Sequence, residues 1–166
     1  MSNGMKKRWI SLYVENQVGV LSKISGLFSG KSYNMDSLTV GTTEDPTVSR
    51  MTIATVSDDE TFEQIKKQLN RLVEVIKVRT LDEASMIGRE LMILKVSANT
   101  RTRSDIMTIC NLCGAKVADL SPNSITIEVS DTPDRVNTFE ELMRPFHILE
   151  VVRTGMVALQ KGGGKI

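Results

Sequence analysis

Arg8-Trp9-Ile10-Ser11-Leu12-Tyr13-Val14, then Glu15-Asn16-Gln17-Val18-Gly19, then Val20-Leu21-Ser22-Lys23-Ile24-Ser25-Gly26-Leu27-Phe28 is the stretch on which the fold turns. In its first part Ile10, Leu12 and Val14 share one face and Trp9, Ser11 and Tyr13 the other, the period of two that marks a β-strand. Glu15 to Gly19 breaks the alternation. Val20, Leu21, Ile24, Leu27 and Phe28 then fall at helical spacing, so the chain passes from strand through a short loop into an amphipathic helix that ends near Gly30 to Ser32.

Downstream, the spacing predicts a second strand from Asn34 to Thr42, a turn at Thr43-Glu44-Asp45-Pro46 and a third strand from Val48 to Val56. The short connection pairs these two strands antiparallel. Ser57-Asp58-Asp59-Glu60 has the Ser-x-x-Glu form of a capping box. It opens a helix whose apolar residues are Phe62, Ile65, Leu69 and Leu72, and Val75 to Thr80 closes the unit as a fourth strand. The order is βαββαβ, and it recurs. Glu90 to Ser97 reads as a strand, Ser104 to Cys113 as a helix, and Ala115 to Leu120 and Ser124 to Val129 as two strands. A helix follows with Thr132 as N-cap, Pro133 at its first position and Val136, Phe139, Leu142 and Met143 as its inner stripe. Ile148 to Leu159 supplies the last strand.

The expected fold class is α+β, two tandem ferredoxin-like βαββαβ domains. Residues 1–7 read as a flexible N-terminus, 8–80 as the first domain and 81–88 as a linker. Residues 89–160 read as the second domain, and 161–166, with Gly162-Gly163-Gly164, as a flexible tail.

Composition narrows the function. The formal net charge is +1 and aromatic residues make up 4% of the 166-residue chain, which argues against a nucleic-acid partner. No apolar run approaches the roughly 20 residues of a membrane span. The basic start, Met1 to Arg8, leads straight into an alternating strand, so a signal peptide is not expected and the reading is cytoplasmic.

Few residues suggest chemistry. Cys110-Asn111-Leu112-Cys113 lies in the last turn of a helix, whereas a reactive thiolate is favoured at the first turn. A zinc site needs more Cys or His ligands, and the single histidine, His147, is distant in sequence. Both cysteines continue an apolar stripe with Ile106 and Ile109 and read as structural. Asp58, Asp59, Glu60, Asp131 and Asp134 stand at helix starts, where capping and the helix dipole account for them. Arg101 and Arg103 read as part of a solvated loop. No catalytic residue and no metal ligand is expected.

The loop Asn16 to Val20 differs. Free backbone N–H groups at a helix entrance, with the positive end of the dipole, suit a carboxylate. Gly19 would let a ligand approach the backbone, and Asn16 offers a donor and an acceptor to a zwitterion. The same residues also suit a plain turn, with Asn16 in the bend and Gly19 relieving strain. The equivalent loop of the second repeat, Ala98-Asn99-Thr100-Arg101-Thr102-Arg103, has no glycine. If a small-ligand site exists, the first repeat is therefore the better candidate.

Glu15-Asn16-x-x-Gly19-Val20-Leu21-Ser22, Gly26-Leu27-Phe28-Ser29 and Tyr33-Asn34-Met35-Asp36-Ser37-Leu38-Thr39-Val40 closely resemble the acetolactate synthase (acetohydroxyacid synthase) small regulatory subunit family. The likeness continues through Asp45 to Ile53 and Gln64 to Leu69, and more weakly through Arg89 to Met92 and Val151 to Leu159. The resemblance implies that the first domain is an ACT domain and that the chain is a non-catalytic subunit. It would form a homodimer, join a separate catalytic large subunit of branched-chain amino-acid biosynthesis, stimulate it, and confer feedback inhibition by valine or another branched-chain amino acid. Thiamine diphosphate, magnesium and FAD would sit on the catalytic subunit, with no cofactor in this chain. The alternative is a free-standing ACT-type module regulating another enzyme.

By resemblance Asn16, Gly19, Val20 and Leu21 match the family's effector loop, while Asn34, Met35 and Val40 match residues that line the site from the neighbouring protomer. Two positions depart from the pattern: Ser32 stands where the family often has glycine, and Met35 where it commonly has isoleucine. Helix length adds a geometric condition. Gly19 and Asn34 flank a helix of about 13 residues, roughly 20 Å long, which one valine cannot bridge. Both can touch one ligand only if they come from different chains.

Overall fold

The computed structural model describes residues 4–165, which fall into two compact units. In the first, β1 (Lys6–Glu15), α1 (Val20–Gly30), β2 (Ser37–Thr42), β3 (Val48–Ser57), α2 (Asp59–Asn70) and β4 (Val75–Leu81) follow the expected order. The strands form one antiparallel sheet in the order β2-β3-β1-β4. Alternation on β1 sends Ile10, Leu12 and Val14 into a core with Ile24 and Phe28 of α1, Met51 and Ile53 of β3, and Phe62, Ile65 and Leu69 of α2. Each helix covers the same face of the sheet with one stripe, the standard solution for a ferredoxin-like unit.

The second unit repeats the plan with β5 (Met86–Ser97), α3 (Arg103–Cys113), β6 (Lys116–Leu120), β7 (Ser124–Asp131), α4 (Pro133–Met143) and β8 (Ile148–Arg153). Its strand order is β6-β7-β5-β8. Met92, Leu94 and Val96 of β5 meet Ile106 and Cys110 of α3 and Val136, Phe139 and Met143 of α4. Two tandem βαββαβ units are thus present as read from the periodicity.

Several boundaries differ from the sequence reading. The stretch Ile148 to Leu159 is not one strand. It breaks after Arg153 and resumes as β9 (Val157–Gln160), which pairs with β5. Thr154 makes the break: its N–H donates to the Leu91 carbonyl (2.9 Å) and its hydroxyl accepts from the Leu91 N–H (3.0 Å). Met156 to Lys165 groups with the first unit, not the second, because Met156 and Ala158 join Trp9, Ala54, Leu81 and Met86 in a separate small cluster. Residues 81–88 are not an open linker either. Leu81 ends β4 and is buried, Glu83–Ser85 is a 3-10 turn, and β5 begins at Met86. Lys6 and Lys7, expected in a flexible terminus, already belong to β1, and 161–165 form hydrogen bonds back to the first unit.

Smaller corrections have simple causes. The N-cap of α2 is Asp58, not Ser57: its Oδ1 accepts from the Thr61 N–H at 2.7 Å, and that bond holds the carboxyl below the usual carboxylate range. Leu142 is 43% exposed, because it lies about 90° round α4 from the stripe of Val136, Phe139 and Met143. The strand expected from Asn34 begins at Ser37, since the Asn34 side chain is occupied elsewhere.

Candidate effector-binding site

The loop after β1 is anchored at three points. Glu15 N–H donates to the Glu74 carbonyl (2.8 Å), Asn16 N–H donates to the Thr47 carbonyl (2.8 Å), and Asn16 Nδ2 donates to the Pro46 carbonyl (2.9 Å). The Asn16 amide oxygen keeps its acceptor capacity. Gly19 is the N-cap of α1 at φ 89°, ψ −8°, a left-handed conformation in which a side chain costs roughly 1–2 kcal/mol. A Cβ there would meet nothing within 4 Å, so glycine is required by the backbone and not by crowding.

Because Gly19 has no side chain, α1 has no side-chain cap, and its first turn holds no acidic residue. Among the described residues the N–H groups of Leu21 and Ser22 have no partner. These are the donors that a helix start leaves over, and they sit at the positive end of its dipole. Lys23, one turn in, is paired with Glu74, whose carboxyl it holds below the usual range. The uncompensated positive potential at this entrance therefore comes from the backbone.

The second repeat is arranged differently. Asn99 Oδ1 accepts from the N–H groups of Arg101 (2.8 Å) and Thr102 (3.1 Å), and Thr102 Oγ1 accepts from the Asn99 N–H (3.1 Å). Asp105 adds a carboxylate in the first turn of α3. These bonds take up N–H groups at and before the N-cap of α3, while among the described residues the N–H groups of Ser104 and Asp105, the counterparts of Leu21 and Ser22, are left over here too. What differs is that the Asp105 carboxylate offsets the positive end of this helix. The two loops share an asparagine, but only the first has a glycine N-cap and a first turn free of carboxylates.

The far end of α1 closes with a Schellman motif. Tyr33 N–H donates to the Phe28 carbonyl (2.9 Å) and Ser32 N–H to the Ser29 carbonyl (3.2 Å), while the Phe28 and Tyr33 rings meet edge to face at 6.0 Å. Ser32 occupies the left-handed position at φ 54°. In the second repeat the corresponding position after α3 is Gly114, at φ 67°. The glycine that the resemblance would place at Ser32 thus has a backbone reason. Ser32→Gly is expected to stabilise the protein by about 0.5–1 kcal/mol, the relief of left-handed strain less the extra entropy of an unfolded glycine. Urea denaturation reads this, and a destabilised variant would contradict the strain assigned to Ser32.

This turn delivers Asn34, whose Oδ1 accepts from the Val56 N–H (3.0 Å) and whose carbonyl accepts from Thr55 Oγ1 (2.6 Å). Only its amide NH2 remains for a ligand. Met35 is partly buried against the first core, and Val40 is 43% exposed on β2. At the other end Leu21 is 46% exposed, whereas the Val20 side chain is buried in the core, so only the Val20 backbone lies on the loop. One chain therefore holds the seven residues as two groups: Asn16, Gly19, Val20 and Leu21 at the start of α1, and Asn34, Met35 and Val40 beyond its end. The 11-residue helix between them is about 16 Å long.

Pro46, at the end of the expected turn, and the adjoining Thr47 carry no site expectation in the sequence, yet their carbonyls fix Asn16, and with Glu15, Gln17, Val48 and Ile76 they line a shallow groove beside the loop. No local signal marks this contact, which joins residues some 30 positions apart.

Elsewhere, Cys110 is buried at the end of α3, and burial pushes its thiol pKa up, the reverse of an activated thiolate. His147 is exposed in the turn before β8. Trp9 is 8% exposed and packs in the small cluster with Met156, so it offers no ring face to a nucleic-acid base. Among the described residues no group of three His, Cys, Asp or Glu side chains could hold a metal ion, and no helix is long and apolar enough to cross a membrane.

Fold and site together define a class: tandem ferredoxin-like proteins whose first unit is an ACT domain with an open helix entrance. Comparison with known proteins is specific. The model of the AHAS small subunit-like ACT domain matches residues 10–77, and that of the small subunit of acetolactate synthase matches residues 89–162. The acetolactate synthase small subunit of Mycolicibacterium smegmatis is 41% identical over 162 residues, covering 98% of this chain and 95% of that one. A probable acetolactate synthase small subunit from Archaeoglobus fulgidus is 44% identical, over 96% of this chain and 99% of its own. The crystal structure of the acetolactate synthase small subunit from Thermotoga maritima superposes with a TM-score of 0.89 at 32% identity, covering 96% of this chain and 99% of that chain. The chain belongs to the acetolactate synthase small-subunit family.

Proposed function

We propose that this protein is the regulatory subunit of an acetolactate synthase, stimulating a separate catalytic subunit and conferring feedback inhibition by a branched-chain amino acid, valine first. The chain is non-catalytic on this reading, and thiamine diphosphate, magnesium and FAD belong to the catalytic subunit. The observation that carries the sensing role is the unpartnered pair of amides at Leu21 and Ser22 behind a left-handed glycine N-cap, with no carboxylate in the first turn, where the second repeat has Thr102 as N-cap and Asp105 in its first turn. An amino-acid carboxylate fits those donors, and the Asn16 amide oxygen can accept from the ammonium group.

The site is completed by a second copy of the chain. Gly19 and Asn34 lie a helix length apart, so a two-fold homodimer would build two equivalent sites, each from one Gly19 loop and one Asn34 end. β2 is an edge strand of the first sheet, and Leu21 and Val40 remain exposed apolar residues in the single chain, both consistent with a partner there. Exposed Leu21 and Val40 and half-buried Met35 offer apolar contacts to a branched aliphatic side chain. Feedback then follows from linkage: the effector prefers a dimer arrangement that activates the catalytic subunit less. Such coupling is typically about 1–3 kcal/mol and is reciprocal for binding.

Calorimetry of the purified chain with valine, leucine and isoleucine tests this. Saturable binding with one site per protomer is expected for at least one of them. No heat with any of the three would remove the sensing role, and failure to co-purify with a thiamine-dependent catalytic subunit would leave a module that regulates another enzyme.

A further inference from the structure

The first unit's sheet has a second face, turned away from its helices. Register places Gly41, Arg50, Tyr13 and Lys77 in one row across it and Thr39, Thr52, Ser11 and Arg79 in the next. A ferredoxin-like sheet covered by helices on one side commonly leaves the other to solvent, yet here Ser11 is fully buried and Thr52 nearly so. The returning C-terminal segment lies over this face. Arg50 Nη2 donates to the Ala158 carbonyl (3.1 Å), and Arg79 Nη1 donates to Gln160 Oε1 (3.1 Å) and to the Lys165 carbonyl.

Between face and segment is a recess of about 90 Å³, partly open to solvent, lined by Tyr13, Arg50, Arg79, Gln160 and Lys165 among others. Among the described residues its charge is unbalanced. Arg50 also donates from Nε to Ser11 Oγ (3.0 Å) and stacks over the Tyr13 ring at 5.5 Å. Among the described residues, every hydrogen-bond partner of the two guanidinium groups is thus a neutral oxygen. Among the described residues neither Arg50, Arg79, Lys77 nor Lys165 forms an ion pair. Glu15, the carboxylate of β1 on this face, stands opposite Val48 and makes no ion pair with Arg50.

Half-buried cations without a counter-charge are unfavourable, and the guanidinium fork is matched to carboxylate and phosphate oxygens. We propose that this recess is a second ligand site, separate from the effector loop, that binds a small oxyanion between Arg50 and Arg79. The volume admits a phosphate group or a small organic acid and excludes a polymer. Both arginines already hold the C-terminal segment, so a bound anion would fasten Ala158 to Lys165 onto the sheet. The effector loop is on another part of the unit, and this site stands or falls independently of amino-acid sensing.

The test is calorimetric titration of the full-length chain with inorganic phosphate and, separately, with acetate, at ionic strength held constant with chloride. Saturable binding of at least one is expected, weakened tenfold or more in Arg79→Gln and unchanged in Lys116→Gln, an exposed lysine of β6. A response to phosphate alone assigns a phosphate site, and a response to acetate assigns a carboxylate site. Heats that do not saturate, or equal affinity in Arg79→Gln, would overturn the proposal. So would saturation by an octaglutamate peptide with neither small anion binding, which would make the face a protein-docking surface. Should Arg79→Gln not fold, the Arg50 and Arg79 Nε–H resonances of the unmodified chain decide: they shift with phosphate or acetate if the site exists and stay in place if it does not.

Discussion

Gly19→Asp loses amino-acid binding by about 30- to 1000-fold, while the protein keeps its helical content. Two terms combine. A carboxylate on residue 19 would face the ligand carboxylate across roughly 4 Å, and at an effective dielectric near 20 such a pair repels by up to about 4 kcal/mol. The new side chain can also accept hydrogen bonds from the first-turn amides as an N-cap, occupying the donors that Leu21 and Ser22 otherwise leave open. Folding is affected less. Left-handed strain at φ 89° costs about 1–2 kcal/mol, partly offset by the cap itself, and the space around Gly19 is empty. Gly19→Ala separates the two terms, because it carries the strain without the charge and is expected to retain most of the affinity. Calorimetry with valine checks both, and a Gly19→Asp variant binding within threefold of the parent would remove the loop from the site. In the assembled enzyme the same variant should be activated but insensitive to feedback.

Phe28→Ala has the largest expected effect on stability. Phe28 is 2% exposed, fills the centre of the first core and meets Tyr33 edge to face at the end of α1. Truncating a buried phenylalanine costs about 3–5 kcal/mol through lost transfer energy and the cavity left behind. Domains of this kind hold only about 5–15 kcal/mol in total, so the urea midpoint should fall steeply. The Phe28–Tyr33 contact also locks the turn that presents Asn34. Effector affinity should therefore drop even where the variant is still folded. Leu142→Ala, at a 43% exposed position, is the comparison and should cost under about 1 kcal/mol. Similar losses for the two variants would contradict the anchoring role given to Phe28.

Much of the fold was legible because its elements are local. Alternation in Trp9 to Val14 and the three-four spacing of Phe62, Ile65 and Leu69 are direct consequences of strand and helix geometry, and both elements appear where the pattern puts them. The turn after α1 was only half legible. Its end near Gly30 to Ser32 was visible, but the left-handed φ of Ser32 was not, since serine carries no signal for it. The run from Ile148 to Leu159 was misread as one strand for a related reason. Val151, Val152, Val157 and Leu159 look continuous, and the break depends on Thr154 finding Leu91, 63 residues away. Trp9 shows the same limit. Its alternation marked it as the face opposite the core, but only the C-terminal segment returning with Met156 and Ala158 buries it.

For the candidate site, the sequence by itself determined the chemistry: a glycine at a helix entrance beside an asparagine, in one repeat and not the other. Those features are written in consecutive residues, where backbone preference and side-chain inventory act without reference to the rest of the chain. Only the tertiary structure decided which groups are left to act. It committed Val20 to the core, tied Asn16 to Pro46 and Asn34 to Val56, and left the amides of Leu21 and Ser22 open while Asn99 turned its side chain onto its own loop at Arg101 and Thr102. The same folding brought Arg50 and Arg79 from strands on either side of β1 to one recess. Such assignments depend on which donors and acceptors meet across long stretches of sequence, and burial settles them only once the chain has closed on itself.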